Sequence, residues 1–365
     1  MCVNTSVVPL VKLKDGKRKL LFQYTLKKED IEDIESLSSF RNEFNRAIHQ
    51  VKYNLCTDER TQVFSKIIKE NLVSEFDSFV SVPCGHCSEC LKVNARNWAI
   101  RILEEAKQYE HNYFITLTYD SKFLPRYGSL VKDEISKFNK KLRSNLYRAG
   151  LNSNFRMYGV GEYGEKFMRP HYHIIYFNLD LPDLKFERYS EEGFPCYSSK
   201  FLQHVWSREV VVDNEKKLVP VGIVDIQDVS IGSACYVARY CDKKRNMTRE
   251  DLDNLKLFHL IPEFSVMSRK PGIGANYLGQ VIQNIKNGVF KISYKDNDFS
   301  VPKYYKNKLN DILNESELED FKKYNSLVSD NLSYKYLMLP FDINEYFLYN
   351  EYSKKLHKRK RDFEK

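Results

Sequence analysis

Apolar positions fall into helix-like and strand-like runs along most of the chain, and these runs interleave without the regular beat of parallel crossovers. Ile31 to Ile48 carries a loose helical period. Ala95, Trp98, Ile102, Leu103, Ala106 and Tyr109 recur at clear helical spacing, and Asn112 closes that segment. Tyr113-Phe-Ile-Thr-Leu-Thr118 is a run of aromatic, aliphatic and β-branched residues, the composition of a buried central strand. The Asp120, Ser121, Pro125 and Gly128 that follow are loop residues. A helix is predicted next: Asp133 and Glu134 suit its positive end, Ile135, Phe138 and Leu142 form the apolar stripe, and Gly150 suits the C-terminal cap. Phe155 to Val160 and His171 to Phe177 read as an antiparallel pair, joined by residues 161–170 with Gly164 available for the turn. Phe201 to Val205 predicts a helix, Val221 to Ile226 a strand and Ser233 to Lys244 another helix. Past residue 250 there is enough Leu, Ile, Phe and Tyr for a second helical layer, with Asn314 and Glu317 at capping-box spacing before Leu318 and Phe321. The expected class is α+β.

Composition narrows the setting. The 365 residues allow two domains or one elaborated domain, and 42% apolar content with 23 Phe and 25 Tyr excludes wholesale disorder. The best apolar run, Leu218 to Val224, is far short of the roughly 18 residues that a membrane helix needs, so no membrane partner is expected. Val7 to Val11 is interrupted by Pro9 and followed by Lys12 and Lys14, unlike a secretion signal, which points to the cytoplasm. The net charge of +9 favours an anionic partner. Of eight cysteines, Cys84, Cys87 and Cys90 fall within seven residues at a metal-binding spacing and form a candidate structural zinc site, completed by His86 or a distant cysteine such as Cys56, Cys196, Cys235 or Cys241.

The chemistry concentrates in two places. His171 and His173 stand two apart on a predicted strand, so both imidazoles reach one face and one ion. If the hairpin closes through residues 161–170, Glu162 leaves the neighbouring strand beside His171. Two nitrogens and a carboxylate then leave coordination positions open for catalysis by Mg²⁺ or Mn²⁺; Zn²⁺ would also fit. Further on, Tyr236 and Tyr240 are one helical turn apart, and Lys243 shares their face. Taken alone, such a pair is an ordinary amphipathic stripe. Beside a metal site it reads differently: a phenol needs a polarised electrophile and a nearby cation to act as a nucleophile, and the histidines and Lys243 supply both. Paired tyrosines can also hold two successive covalent intermediates, which suits cleaving and rejoining a phosphodiester.

The ordered set Phe114-Ile-Thr-Leu-Thr-Tyr-Asp120, His171-Tyr-His173 and Tyr236-x-x-x-Tyr240-x-x-Lys243 resembles the three motifs of HUH endonucleases that initiate rolling-circle replication. With Cys84-Gly-His-Cys-Ser-Glu-Cys90 ahead of it, the chain resembles the replication initiators of gokushovirus-type microviruses, small single-stranded DNA phages, over about residues 83 to 250. The resemblance implies a central antiparallel sheet flanked by helices, with the histidine strand central and the tyrosine helix across it, and mostly helical N- and C-terminal elaborations. It implies that His171, His173 and Glu162 hold the catalytic metal and that Tyr236 and Tyr240 are alternating nucleophiles supported by Lys243. It also implies single-stranded or origin DNA as substrate, a 5′-phosphotyrosine intermediate, and action in the host cytoplasm with host helicase or polymerase as candidate partners. Two departures stand out: Tyr172 lies between the histidines where an aliphatic residue is usual, and Arg239 stands where many members have Lys.

Arg169, Arg239, Lys244 and Arg245 flank the motifs and are candidate DNA contacts, and Lys354 to Arg361 form a basic tail. The expected organisation is an N-terminal region over 1–82, an endonuclease domain over 83–250 and a helical C-terminal region over 251–365. Two rival readings remain: a plasmid or transposon nickase of the same chemistry, and a non-catalytic, zinc-stabilised nucleic-acid-binding protein in which the tyrosines are core residues.

Overall fold

The computed structural model describes residues 6–21, 26–27, 34–53, 59–82, 88–164, 166–191, 193–212, 214–243, 249–294 and 297–337. The chain divides into two compact units, Met1–Cys90 and Leu91–Lys365.

In the first unit, β1 (Ser6–Leu13) pairs antiparallel with β2 (Arg18–Leu20) and β3 (Leu26–Lys27). After α1 (Ile34–Lys52) and α2 (Glu59–Asn71), β4 (Val73–Val82) returns to pair with β1 along its whole length. Val11, Phe44, Phe64, Ile68 and Phe76 form the core between sheet and helices, with the Phe44 ring edge-on to both Phe64 and Phe76. A mostly helical region was expected here, and the sheet is the correction. The partners β1 and β4 lie some sixty residues apart, so their pairing leaves no local signal beyond two short apolar runs.

The second unit is built on one seven-stranded sheet. Its elements are β5 (Asn112–Leu117), β6 (Arg156–Tyr163), β7 (Pro170–Phe177), β8 (Lys185–Tyr189), β9 (Pro195–Ser198), β12 (Val224–Asp228) and β13 (Phe264–Met267), in the order β13-β6-β7-β5-β12-β9-β8. Every neighbouring pair is antiparallel. A separate hairpin, β10 (Ser207–Val212) with β11 (Glu215–Pro220), precedes β12. The expected α+β class with a central antiparallel sheet flanked by helices is what the chain adopts.

Strand alternation gives this sheet two buried faces. Ile115, Leu117, Tyr172, Ile174 and Tyr176 pack against α4 (Lys132–Arg148) through Ile135, Phe138 and Leu142, and against α5 (Lys200–Val205) through Leu202 and Val205. Phe114, Tyr158, Val160, Ile175 and Phe177 face α3 (Ser88–Ala106) through Ala99 and Ile102, and α6 (Ile231–Lys243) through Ala234, Val237 and Ala238. Asn112 closes α3 as expected, its side-chain amide donating to the carbonyls of Ala106 and Tyr109. The strand expected from Val221 starts instead at Val224. Gly222 passes so close to the Thr118 carbonyl that a Cβ there would lie 2.1 Å from its oxygen, and this crossing delays regular pairing.

Beyond α6 lie α7 (Arg249–Leu257), α8 (Leu278–Lys286), the hairpin β14 (Lys291–Tyr294) and β15 (Asn297–Ser300), α9 (Lys303–Leu309) and α10 (Glu315–Leu337). Val281, Ile285, Tyr305, Leu309 and Phe321 form a further core with Ile100, on another side of α3. The capping box is present: Asn314 Oδ1 accepts from the Glu317 backbone N–H, and Glu317 Oε2 accepts from that of Asn314. Among the described residues no helix is long and apolar enough to cross a membrane.

Candidate metal centre and nucleophile

The register of three adjacent strands assembles the centre. Glu162 on β6 lies directly opposite His171 on β7, and Thr116 on β5 opposite His173. All four side chains therefore emerge on the face that α6 covers. His171 Nε2 is 2.6 Å from Glu162 Oε1, and His173 Nε2 is 3.0 Å from the same oxygen. The three ligand atoms lie within 4.8 Å of one another.

The outer nitrogens explain why these groups suit a cation. His171 Nδ1 is 3.1 Å from the Arg169 carbonyl oxygen, which can only accept, so Nδ1 carries a proton. In the neutral ring Nε2 then presents a lone pair to a carboxylate oxygen, an arrangement that requires a second proton or a cation. His173 Nδ1 is 2.9 Å from Thr116 Oγ1, and the Phe114 ring lies parallel to the His173 imidazole with centroids 5.3 Å apart, fixing its orientation. Glu162 is only 3% exposed. Burial acts to raise its carboxyl pKa, but the hydrogen bonds and charges of His171 and His173 outweigh burial and hold it well below the usual range, so it stays ionised. Its second oxygen, Oε2, is buried and has no hydrogen-bond partner among the described residues. A buried anionic oxygen left open beside two converging imidazoles fits a metal ion.

Helix α6 brings the phenol. Ser230 and Ser233 cap its start reciprocally, each hydroxyl accepting from the other's backbone N–H. Its buried stripe is Ala234, Val237 and Ala238, small enough to bring the helix close to the sheet. Tyr236 is consequently part-buried, with its ring edge-on to His173 at 5.1 Å. Its hydroxyl donates to Glu162 Oε1 at 2.8 Å and is 3.4 Å from His173 Nε2. Tyr240 and Lys243 follow on the same helix, and their side chains lie outside the described residues, as do Cys84, Cys87, Lys244, Arg245 and the basic tail. Cys90 is buried at the start of α3, and Arg239 is exposed on α6. Arg169 is half-buried, donating to the Tyr119 carbonyl at 2.8 Å and to Ser121 Oγ at 3.2 Å at the edge of a cavity of about 510 Å³.

Tyr172, the departure between the histidines, points to the opposite face. There its hydroxyl accepts from the Val131 N–H at 3.0 Å and sits 3.1 Å from the Val131 carbonyl and 3.2 Å from the Tyr119 hydroxyl. Burial pushes its pKa up to about 12, so it is a structural phenol. Thr116 and Phe114 are the site residues that motif reading missed as partners of His173. Their signal lay in the strand itself, where positions 114 and 116 share a face.

These features define a class: an antiparallel-sheet protein whose central strands hold a carboxylate and a His-x-His pair beneath a tyrosine-bearing helix. The family model for ORF2-type replication-associated proteins matches residues 112–245. The chain is 34% identical to replication-associated protein ORF2 of Spiroplasma virus 4, over 62% of this chain and 66% of that protein. It is 30% identical to replication-associated protein VP4 of Bdellovibrio phage phiMH2K, over 65% and 69% respectively, and 29% identical to replication-associated protein ORF4 of Chlamydia phage 1, over 96% and 84%. The chain belongs to this family of phage replication-associated proteins, microvirus-like initiators of rolling-circle replication. No solved structure matches it.

Proposed function

We propose that the protein is a divalent-metal-dependent endonuclease that nicks single-stranded origin DNA through Tyr236 and rejoins strands during phage rolling-circle replication. The observation that carries this reading is the 2.8 Å hydrogen bond from the Tyr236 hydroxyl to Glu162, the carboxylate shared by both histidines. Glu162, His171 and His173 would hold Mg²⁺ or Mn²⁺, which polarises the scissile phosphate when bound. Glu162 Oε1 receives the phenolic proton and so orients the Tyr236 oxygen. That oxygen attacks phosphorus, the bond to the 3′ oxygen breaks, and the 3′ oxygen takes up a proton and leaves. The products are a 5′-phosphotyrosine and a 3′-OH for a polymerase to extend.

The phosphotyrosine conserves the phosphodiester bond, so the released 3′-OH can reverse the attack and close a circle without a nucleotide cofactor. Tyr240, one turn further along α6, serves as the second nucleophile, and Lys243 favours the phenolate. Arg169 and Arg239 contact phosphates, with Lys244 and Arg245 beyond the helix. The cysteine cluster would take a structural Zn²⁺, separate from the chemistry.

The test is a denaturing gel of protein incubated with Mn²⁺ and labelled single-stranded fragments tiling the genome that encodes the chain. A covalent adduct is expected for wild type and Tyr240→Phe, and none for Tyr236→Phe, His171→Ala or the double tyrosine variant. DNA binding by the wild type without any adduct would remove the enzyme reading and favour a non-catalytic nucleic-acid-binding protein.

A further inference from the structure

The connection between β6 and β7 carries a feature that metal binding and tyrosine chemistry leave unexplained. Phe167 is 81% exposed, the most exposed large apolar side chain among the described residues, and Met168 beside it is 54% exposed. Adjacent side chains of this kind mark a contact surface more often than they occur idly. Their backbone is held in place: the Gly164 N–H donates to the Arg169 carbonyl at 2.9 Å, the Met168 N–H donates to the Gly164 carbonyl at 2.9 Å, and Met168 adopts a positive φ of 50°. The Arg169 carbonyl also receives His171 Nδ1. One acceptor thus ties the turn to a ligand of the metal centre.

Resting on the nickase reading, we propose that Phe167 and Met168 form a stacking platform for an unpaired base of single-stranded DNA next to the scissile phosphate. The surrounding charge fits this occupant, because exposed Lys166 and half-buried Arg169 flank the platform in a chain of net charge +9. An aromatic face bordered by cations suits single strands, whose bases stack and whose phosphates pair. A duplex keeps its base faces covered. A second aromatic pair gathers at the same end of β6. Tyr127 and His259, each at positive φ, stack with centroids 4.5 Å apart, and Arg126 lies 4.8 Å from the Tyr127 ring. The segments bearing this pair are fixed to Tyr163 at the end of β6, its hydroxyl accepting from the Leu130 N–H and donating to the Ile261 carbonyl. Three strained non-glycine residues therefore surround one end of the strand that carries Glu162, where strain is more often functional than incidental.

The experiment is fluorescence anisotropy of full-length protein with labelled oligothymidylate of about 20 nucleotides, and with its duplex, in EDTA so that no cleavage is needed. Phe167→Ala is expected to weaken single-strand binding about ten-fold, the scale of one base–aromatic stack, while duplex binding changes less than about two-fold. Phe167→Trp should restore the affinity, and the new indole emission should be quenched as oligonucleotide is added. Wild-type-like single-strand affinity in Phe167→Ala, an indole signal unchanged at saturation, or no single-strand binding by the wild type would each overturn the platform. Because neither readout involves an adduct, failure of the nicking reaction is separable from failure of the platform.

Discussion

The two faces of the seven-stranded sheet treat buried polar groups in opposite ways, and β7 displays both within three consecutive residues. On the α4 side Tyr172 meets Val131 and Tyr119, Tyr119 donates to Glu134, and Arg208 also pairs with Glu134. These polar groups answer one another within the protein. On the α6 side His171 and His173 converge on Glu162, whose second oxygen stays unanswered among the described residues. A completed polar network defines a core, whereas an incomplete one waits for something from outside. The contrast separates stability from chemistry along a single strand.

Exchanging residues on either side tests that separation. The largest effect is expected for Glu162→Ala, which removes the shared carboxylate: Mn²⁺ affinity by calorimetric titration should fall on the order of 1,000-fold, with melting temperature in EDTA unchanged or raised. Tyr172→Ala, on the other face, should cost about 3–5 kcal/mol in urea denaturation, while protein that is still folded binds Mn²⁺ with wild-type stoichiometry. Thr116→Val is expected to do the least. Losing the hydroxyl at His173 Nδ1 should weaken Mn²⁺ about 10- to 100-fold and shift stability by under about 1 kcal/mol. A Glu162→Ala protein less stable than Tyr172→Ala would show that the metal face also carries the fold.

Legibility in the sequence followed distance along the chain. The β6–β7 hairpin, with Glu162 opposite His171, was readable because strand alternation and a short connection determine it locally. The capping box at Asn314 and the closing role of Asn112 were readable for the same reason. The β1–β4 sheet was missed because its partners are remote. The three-residue offset at β12 came from a backbone crossing at Gly222 that no periodicity records. For Thr116 and Phe114 the alternation was visible, but assigning them to His173 required knowing that β5 neighbours β7, a matter of strand order. Tyr172 looked anomalous as a motif residue and is ordinary as a core residue.

Chain order has a consequence for synthesis. A ribosome finishes the hairpin bearing Glu162, His171 and His173 while Tyr236 is still 63 residues away, and Glu263, which accepts from the Tyr163 N–H, follows that residue by 100. A nascent protein therefore carries the three candidate ligands before it has either the phenol or the strand that completes the outer edge of β6. Translation itself separates the ability to gather an ion from the ability to cut with it.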